Sequence, residues 1–151
     1  SRGPRKQCIS FHLGCTECAL PITSIYSILK IENVKKSALA SKSCIGMIDL
    51  RGTTVPVLDF PALLGYRPID KSDNATAGDR RIVVMRLGDE LFGLLVDSVK
   101  NIVYFFDDEL IKFPVLAKDR SEMISGCISR HGEADILLMD HTKILSNEEI
   151  N

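Results

Sequence analysis

The amino-acid sequence predicts an all-β chain, a duplicated small barrel with short helical turns. Three observations carry that expectation. Apolar and polar residues alternate with a period of two, paired runs are separated by glycine-bearing turns, and the whole series of runs occurs twice.

The elements follow in order. Ile9, Phe11 and Leu13 alternate with Cys8, Ser10 and His12, the pattern of a half-buried strand. Gly14 to Glu17 reads as a hairpin turn, and the next strand puts Cys18, Leu20 and Ile22 on one face. Pro21 lacks an N–H for the ladder, which places it at an edge or a barrel rim. Ile25, Ile28 and Leu29 fall at i, i+3 and i+4, the spacing of one amphipathic turn or a bend into the next strand. A second hairpin starts at Ile45, with Ile48 and Leu50 facing one way and Met47 and Asp49 the other. Arg51-Gly52 forms its turn, and Val55 and Val57 return beside a second rim-type proline, Pro56. Asp59 is a candidate N-cap for a short turn over Phe60 to Leu64, with Pro61 early and Gly65 at its end. Residues 66–79 are polar and read as a linker loop.

The plan then recurs. Arg81 to Leu87 reads as a strand, Gly88 to Glu90 as a turn, and Leu91 to Val99 as one long apolar strand. The stretch from Leu87 to Val99 matches that from Leu13 to Ile25 without a gap. Gly126 to Asp140 repeats the Gly46 to Asp59 hairpin, with His131-Gly132 in place of Arg51-Gly52 and a helix-like segment, His141 to Leu145, following. The offset of about 75 to 80 residues is too long for a solenoid. Two halves, 8–65 and 80–146, are expected to share one core, because either alone would bury too little surface.

Composition narrows the function. The 19 basic and 20 acidic residues nearly cancel, so no broad basic face points to nucleic acid or an anionic membrane. No apolar run approaches the roughly 18 residues that span a bilayer, and no signal peptide is visible. The chain starts at Ser1 rather than Met, as a piece cut from a longer protein would. Five irregularly spaced cysteines argue against a disulfide framework and for a reducing cytoplasm.

Ile45 to Asp59, with its Leu-Arg-Gly turn and Val-Pro-Val arm, resembles the core motif of CheW-like domains. Phe11 to Ile22, Gly93 to Val99 and Ile136 to Asp140 are similar to the family's other landmarks, in the same order, so the resemblance covers residues 8–146. It implies two intertwined five-stranded SH3-like barrels around a common core. It also implies a non-catalytic adaptor without a cofactor, working in the cytoplasm. Such proteins couple the cytoplasmic tips of chemoreceptors to the regulatory domain of a CheA-type histidine kinase, without touching nucleic acid or entering the membrane. By position, Arg51 matches the family's docking arginine. Ile25, Ile28, Gly46 and Gly52 match positions around the docking groove, and Ser27, Met47, Asp49 and Val99 complete the expected partner-binding set. Two departures stand out. Ser27 replaces a usual glutamate, and Ser41 stands where a proline commonly precedes the hairpin.

Two alternatives stay open. One is a CheW-like module of a larger signalling protein, such as a kinase regulatory region or a receiver-linked coupling protein. The other is a metal- or thiol-dependent protein using Cys15 and Cys18. That C-x-x-C pair lies on a hairpin rather than at a helix N-terminus, and no second pair completes a zinc site. His12, His131 and His141 have no metal-ligand spacing. Asp107 to Glu109 reads as a capping cluster or a solvated bend, and Asp59, Asp97 and Asp140 as caps at strand ends. No nucleophile elbow, phosphate loop or paired carboxylate points to an enzyme.

Overall fold

The computed structural model describes residues 2–31, 34–36, 43–64, 77–112 and 120–150. Ser41, Gly65 and residues 66–76 of the expected linker lie outside the described residues.

The chain opens with a hairpin of β1 (Lys6–Leu13) and β2 (Thr16–Pro21), then β3 (Ile25–Lys30). A second hairpin, β4 (Cys44–Leu50) and β5 (Thr53–Asp59), ends in the short helix α1 (Phe60–Leu63). The series repeats as β6 (Arg81–Leu87), β7 (Glu90–Val96) and β8 (Ser98–Phe105). After the two-residue β9 (Leu110–Ile111) come β10 (Ile124–Ile128), β11 (Ile136–Met139) and helix α2 (His141–Ile150).

These strands form a five-stranded sheet, β3-β6-β7-β5-β4, and a six-stranded one, β8-β1-β2-β11-β10-β9. The orders coincide once the two copies are aligned. β8 stands for β3, β1 for β6, β2 for β7, β11 for β5 and β10 for β4. Register is kept as well, since Ile28 lies opposite Val83 and Ile102 opposite Ile9. Each sheet takes its leading hairpin from one copy and its other strands from the second. The two SH3-like barrels are therefore intertwined, and 8–65 and 80–146 each contribute to both sheets. The sixth strand, β9, is an addition to the five expected.

Three apolar layers follow from the two-residue period of the strands. Val55, Val57, Ile82, Val84 and Leu95 fill the inside of the five-stranded sheet. Cys8, Ala19, Val103, Phe105, Ile128 and Ile136 fill the six-stranded one. Between the sheets lies a shared layer that includes Phe11, Leu20, Phe60, Val83, Phe92, Leu94 and Met139. Val83 turns into the shared layer while its neighbours Ile82 and Val84 turn inward. Both faces of β6 and β7 are thus covered, which is why they read as continuous apolar runs. Phe11 and Phe60 meet there with ring centroids 5.7 Å apart.

Local chemistry fixes the ends. The Asp59 carboxylate accepts from Ala62 N–H at 3.2 Å, and that of Asp140 accepts from Thr142 N–H at 3.0 Å. Pairing of β5 with β7 starts at Val57, just past Pro56, so the proline removes no bond on that side.

Two expectations are corrected. Leu91 to Val99 is not one strand but breaks at Asp97. Its N–H donates to the His12 carbonyl at 3.0 Å and its carboxylate accepts from Gly14 N–H, tying the chain to the first hairpin's tip. Ile25 to Leu29 is not a helical turn. It belongs to β3, where half-buried and exposed residues alternate, and the only turn beside it is the 3-10 segment Ile22–Ser24.

Candidate functional site

β3 and β4, the two outer strands of the five-stranded sheet, face each other across an open groove of about 830 Å³. Its apolar lining comes from Ile28 and Leu29 on β3, Met47, Ile48 and Leu50 on β4, and Ile82 on β6. Its polar lining is Lys30, Lys35, Asp49 and Thr54. Segment 34–36 closes one side by pairing with β4. Lys35 N–H donates to the Met47 carbonyl at 2.8 Å, and Met47 N–H returns the bond to Lys35 at 2.7 Å. Gly46 makes this approach possible, because a Cβ there would run into the Lys35 carbonyl and a methyl of Val34. Gly46 is thus buried under the segment, not presented at the surface.

The turn beyond β4 carries the expected docking arginine. Arg51 has φ 51° and Gly52 φ 85°, the left-handed pair that a tight two-residue hairpin turn demands. Glycine meets this at no steric cost, whereas arginine gives up about 1 kcal/mol or more. Both residues are exposed, and among the described residues no carboxylate pairs with the Arg51 guanidinium.

At the same end of the sheet, Tyr26 and Arg86 stack, with the guanidinium 4.8 Å from the ring centroid. They line a shallow recess of about 320 Å³ with Thr53, the residue after Gly52. The turn is therefore brought beside the start of β3, where Ile25 and Ser27 flank Tyr26 and are themselves half-buried. Ile25 packs against the shared layer.

The expected partner-binding set thus divides. Ile28, Met47 and Asp49 meet in the groove, and Arg51 and Gly52 form the tip above it. Val99 lies apart on the other sheet, half-buried against the shared layer and opposite Phe11. Tyr26, Lys30, Lys35, Thr54 and Arg86 join the site although no sequence motif marks them. A period of two along 25–30 puts Tyr26, Ile28 and Lys30 on one exposed face, and the helical spacing seen in Ile25, Ile28 and Leu29 hid it.

The two cysteines of the C-x-x-C pair sit in different surroundings. Cys15 is exposed in the turn, whereas Cys18 is buried in the shared layer, where burial pushes its thiol up to about 12. A redox or metal-binding thiol needs the opposite shift. Among the described residues no group of His, Cys, Asp and Glu is placed to hold a metal ion. No helix among them is long and apolar enough to cross a membrane.

Comparison with known proteins bears on this arrangement. The family model described as CheW-like domain matches residues 7–149. Chemotaxis protein CheW of Klebsiella aerogenes is 25% identical over 141 residues, covering 93% of this chain and 81% of that protein. Chemotaxis protein CheW of Rhizobium meliloti is 26% identical over 145 residues, covering 95% and 90%. Among solved structures, the crystal structure of scaffolding protein TtCheW from Thermoanaerobacter tengcongensis is similar with a TM-score of 0.79. It is 21% identical, and the match covers 91% of this chain and 90% of that one.

Proposed function

The chain belongs to the CheW-like domain family, and on that premise we propose that it is a non-catalytic adaptor coupling chemoreceptors to a CheA-type histidine kinase. The observation that carries this reading is the open, apolar-lined groove between β3 and β4, capped by an exposed arginine, without a carboxylate partner among the described residues, on a glycine-backed turn. Such a surface has the parts of a docking site: an apolar centre, a charged rim and a side chain that reaches outward.

The docking set is Arg51 and Gly52 at the tip, Ile28, Met47 and Asp49 in the groove, and Ile25 and Ser27 along the start of β3. Gly46 shapes the groove from below by letting segment 34–36 lie against β4. Val99, on the other sheet, belongs to a second face. Because the sheets share one packed layer, a partner on either sheet acts on a single body. An adaptor needs that rigidity to hold a receptor and a kinase in fixed relation. The protein works in the cytoplasm, beside membrane-embedded receptors.

A binding titration against the regulatory domain of the CheA-type kinase from the same organism tests this reading. Saturable binding that Arg51→Ala weakens at least tenfold, about 1.4 kcal/mol, is the expected result. Undiminished binding would remove Arg51 from the interface. No binding by the unaltered chain, to either the kinase domain or a receptor tip, would overturn the adaptor reading.

A further inference from the structure

We propose that the β3–β4 groove selects a partner segment in which an apolar side chain is flanked by carboxylates; this rests on the docking role given to the groove above. The floor is apolar, and Ile28 on its lip remains 36% exposed, so an apolar side chain gains by entering. The rim is cationic. Lys30 and Lys35 both line the groove, and neither has a carboxylate partner among the described residues. Asp49, exposed on the β4 side, is the one opposing charge in the lining. A purely apolar occupant would desolvate two ammonium groups with nothing in return, and a basic one would add repulsion.

The duplication supplies an internal control. Lys30 lies opposite Arg81 on β3, and the matching position on β8 is Tyr104, opposite Gln7. Lys35, which pairs with Met47 on β4, is matched by Ile111, which pairs with Cys127 on β10. The same backbone plan therefore forms with lysines or without them. The cationic rim is not something the fold requires, which leaves recognition as its use.

The test is an amide-resolved NMR titration of the full chain with two synthetic peptides, acetyl-Glu-Ile-Glu-Leu-Glu-amide and acetyl-Lys-Ile-Lys-Leu-Lys-amide. The acidic peptide should shift Ile28, Lys30, Met47 and Asp49 saturably, and the basic one should bind at least tenfold more weakly. Lys30→Glu/Lys35→Glu should reverse the preference, and Lys30→Met/Lys35→Met should abolish it with the spectrum otherwise preserved. Equal response to both peptides, no response at the groove, or a preference unchanged in the variants would overturn the proposal. So would groove shifts that follow protein concentration alone, which would assign the groove to a second copy. The peptides report on the groove without the kinase. Peptide selectivity without binding to the kinase domain or a receptor tip would sink only the adaptor reading, and binding to either without peptide selectivity would sink only this one.

Discussion

The five-stranded and six-stranded sheets run through the same strand order, yet their outer edges have taken opposite chemistry. In both, a glycine near the start of the second hairpin lets a crossing segment lie against the strand. A Cβ on Gly46 would strike the Lys35 carbonyl, and one on Gly126 the Ile111 carbonyl. In both, an isoleucine stands exposed at the matching place on the outer strand, Ile28 on β3 and Ile102 on β8. The differences lie in the charges. On the six-stranded side the acidic turn after β8 is already occupied by the chain's own N-terminal arm. The Arg2 guanidinium donates to both Asp108 oxygens at 3.0 and 2.8 Å and lies 4.1 Å from the Phe106 ring centroid. Lys6 pairs with Asp107 at 2.8 Å, and Arg5 stacks over Tyr104 at 4.3 Å. Glu109, expected to cap, does so by accepting from Phe106 N–H at 2.9 Å. On the five-stranded sheet Lys30 and Lys35 stand in the places of Tyr104 and Ile111. Duplicated backbones are held by packing and close approach, and the exposed charges are free to diverge.

The largest expected effect breaks what the two sheets share. Phe60→Ala should cost about 3–5 kcal/mol, because a ring in the common layer leaves a cavity that neither sheet can close alone. Urea denaturation should still show one transition by all probes. Two separated transitions would mean that the sheets are independent units.

A matched pair comes next. Gly46→Ala and Gly126→Ala should each destabilise by about 1–3 kcal/mol, since in both a backbone carbonyl stands in the way. A neutral result at one of them, read from urea midpoints, would break the equivalence at that edge.

Alkaline pH should separate the leading hairpins. β1–β2 buries Cys8 and Cys18 where β6–β7 buries Ile82 and Phe92. Burial pushes the two thiols up to about 11 and about 12 from 9.0, so folding favours their protonated form. That contribution is complete below pH 9 and is lost as pH rises through 11 and 12. Stability measured from pH 8 to 11 should fall, and Cys8→Val/Cys18→Val should flatten the curve.

The smallest effect concerns the arm. Its hydrogen bond to Arg2 holds the Asp108 carboxyl below its ordinary value, so the latch is complete at neutral pH and opens as pH falls through that depressed value. Arg2 Nε–H protection, taken as exchange relative to a free guanidinium at the same pH and salt, should fall in acid, in high salt and in Asp108→Asn, with Tm unchanged within error. A large loss of Tm would make the arm structural.

Much of this was legible in the residues. Period-two alternation located the hairpins, the gapless match of 13–25 with 87–99 exposed the duplication, and Arg51-Gly52, Asp59 and Asp140 declared their turn and caps through local chemistry. Pairing across the duplication was not legible, because a strand's alternation says which face is buried and not which neighbour it meets. The groove was half legible. Ile28, Met47 and Asp49 stood out through the resemblance. Nothing in the sequence sets Lys30 and Lys35 apart from other lysines; only the fold brings them to one rim. Gly46 looked like part of a surface and proved to be the space another segment needs.

The exchange of leading hairpins has a consequence for how the protein is made. Within this domain β1–β2 is made before every other strand, yet the β8 strand it pairs with lies 95 residues downstream, as the contact of Cys8 with Val103 records. Through several seconds of synthesis that hairpin must wait with its apolar face uncovered. β3, β4 and β5, emerging next, find the centre of their own sheet only when β6 and β7 follow them. The first sheet to close is therefore the five-stranded one, and it closes around the second hairpin made. The domain's own first hairpin is among its last parts to be buried.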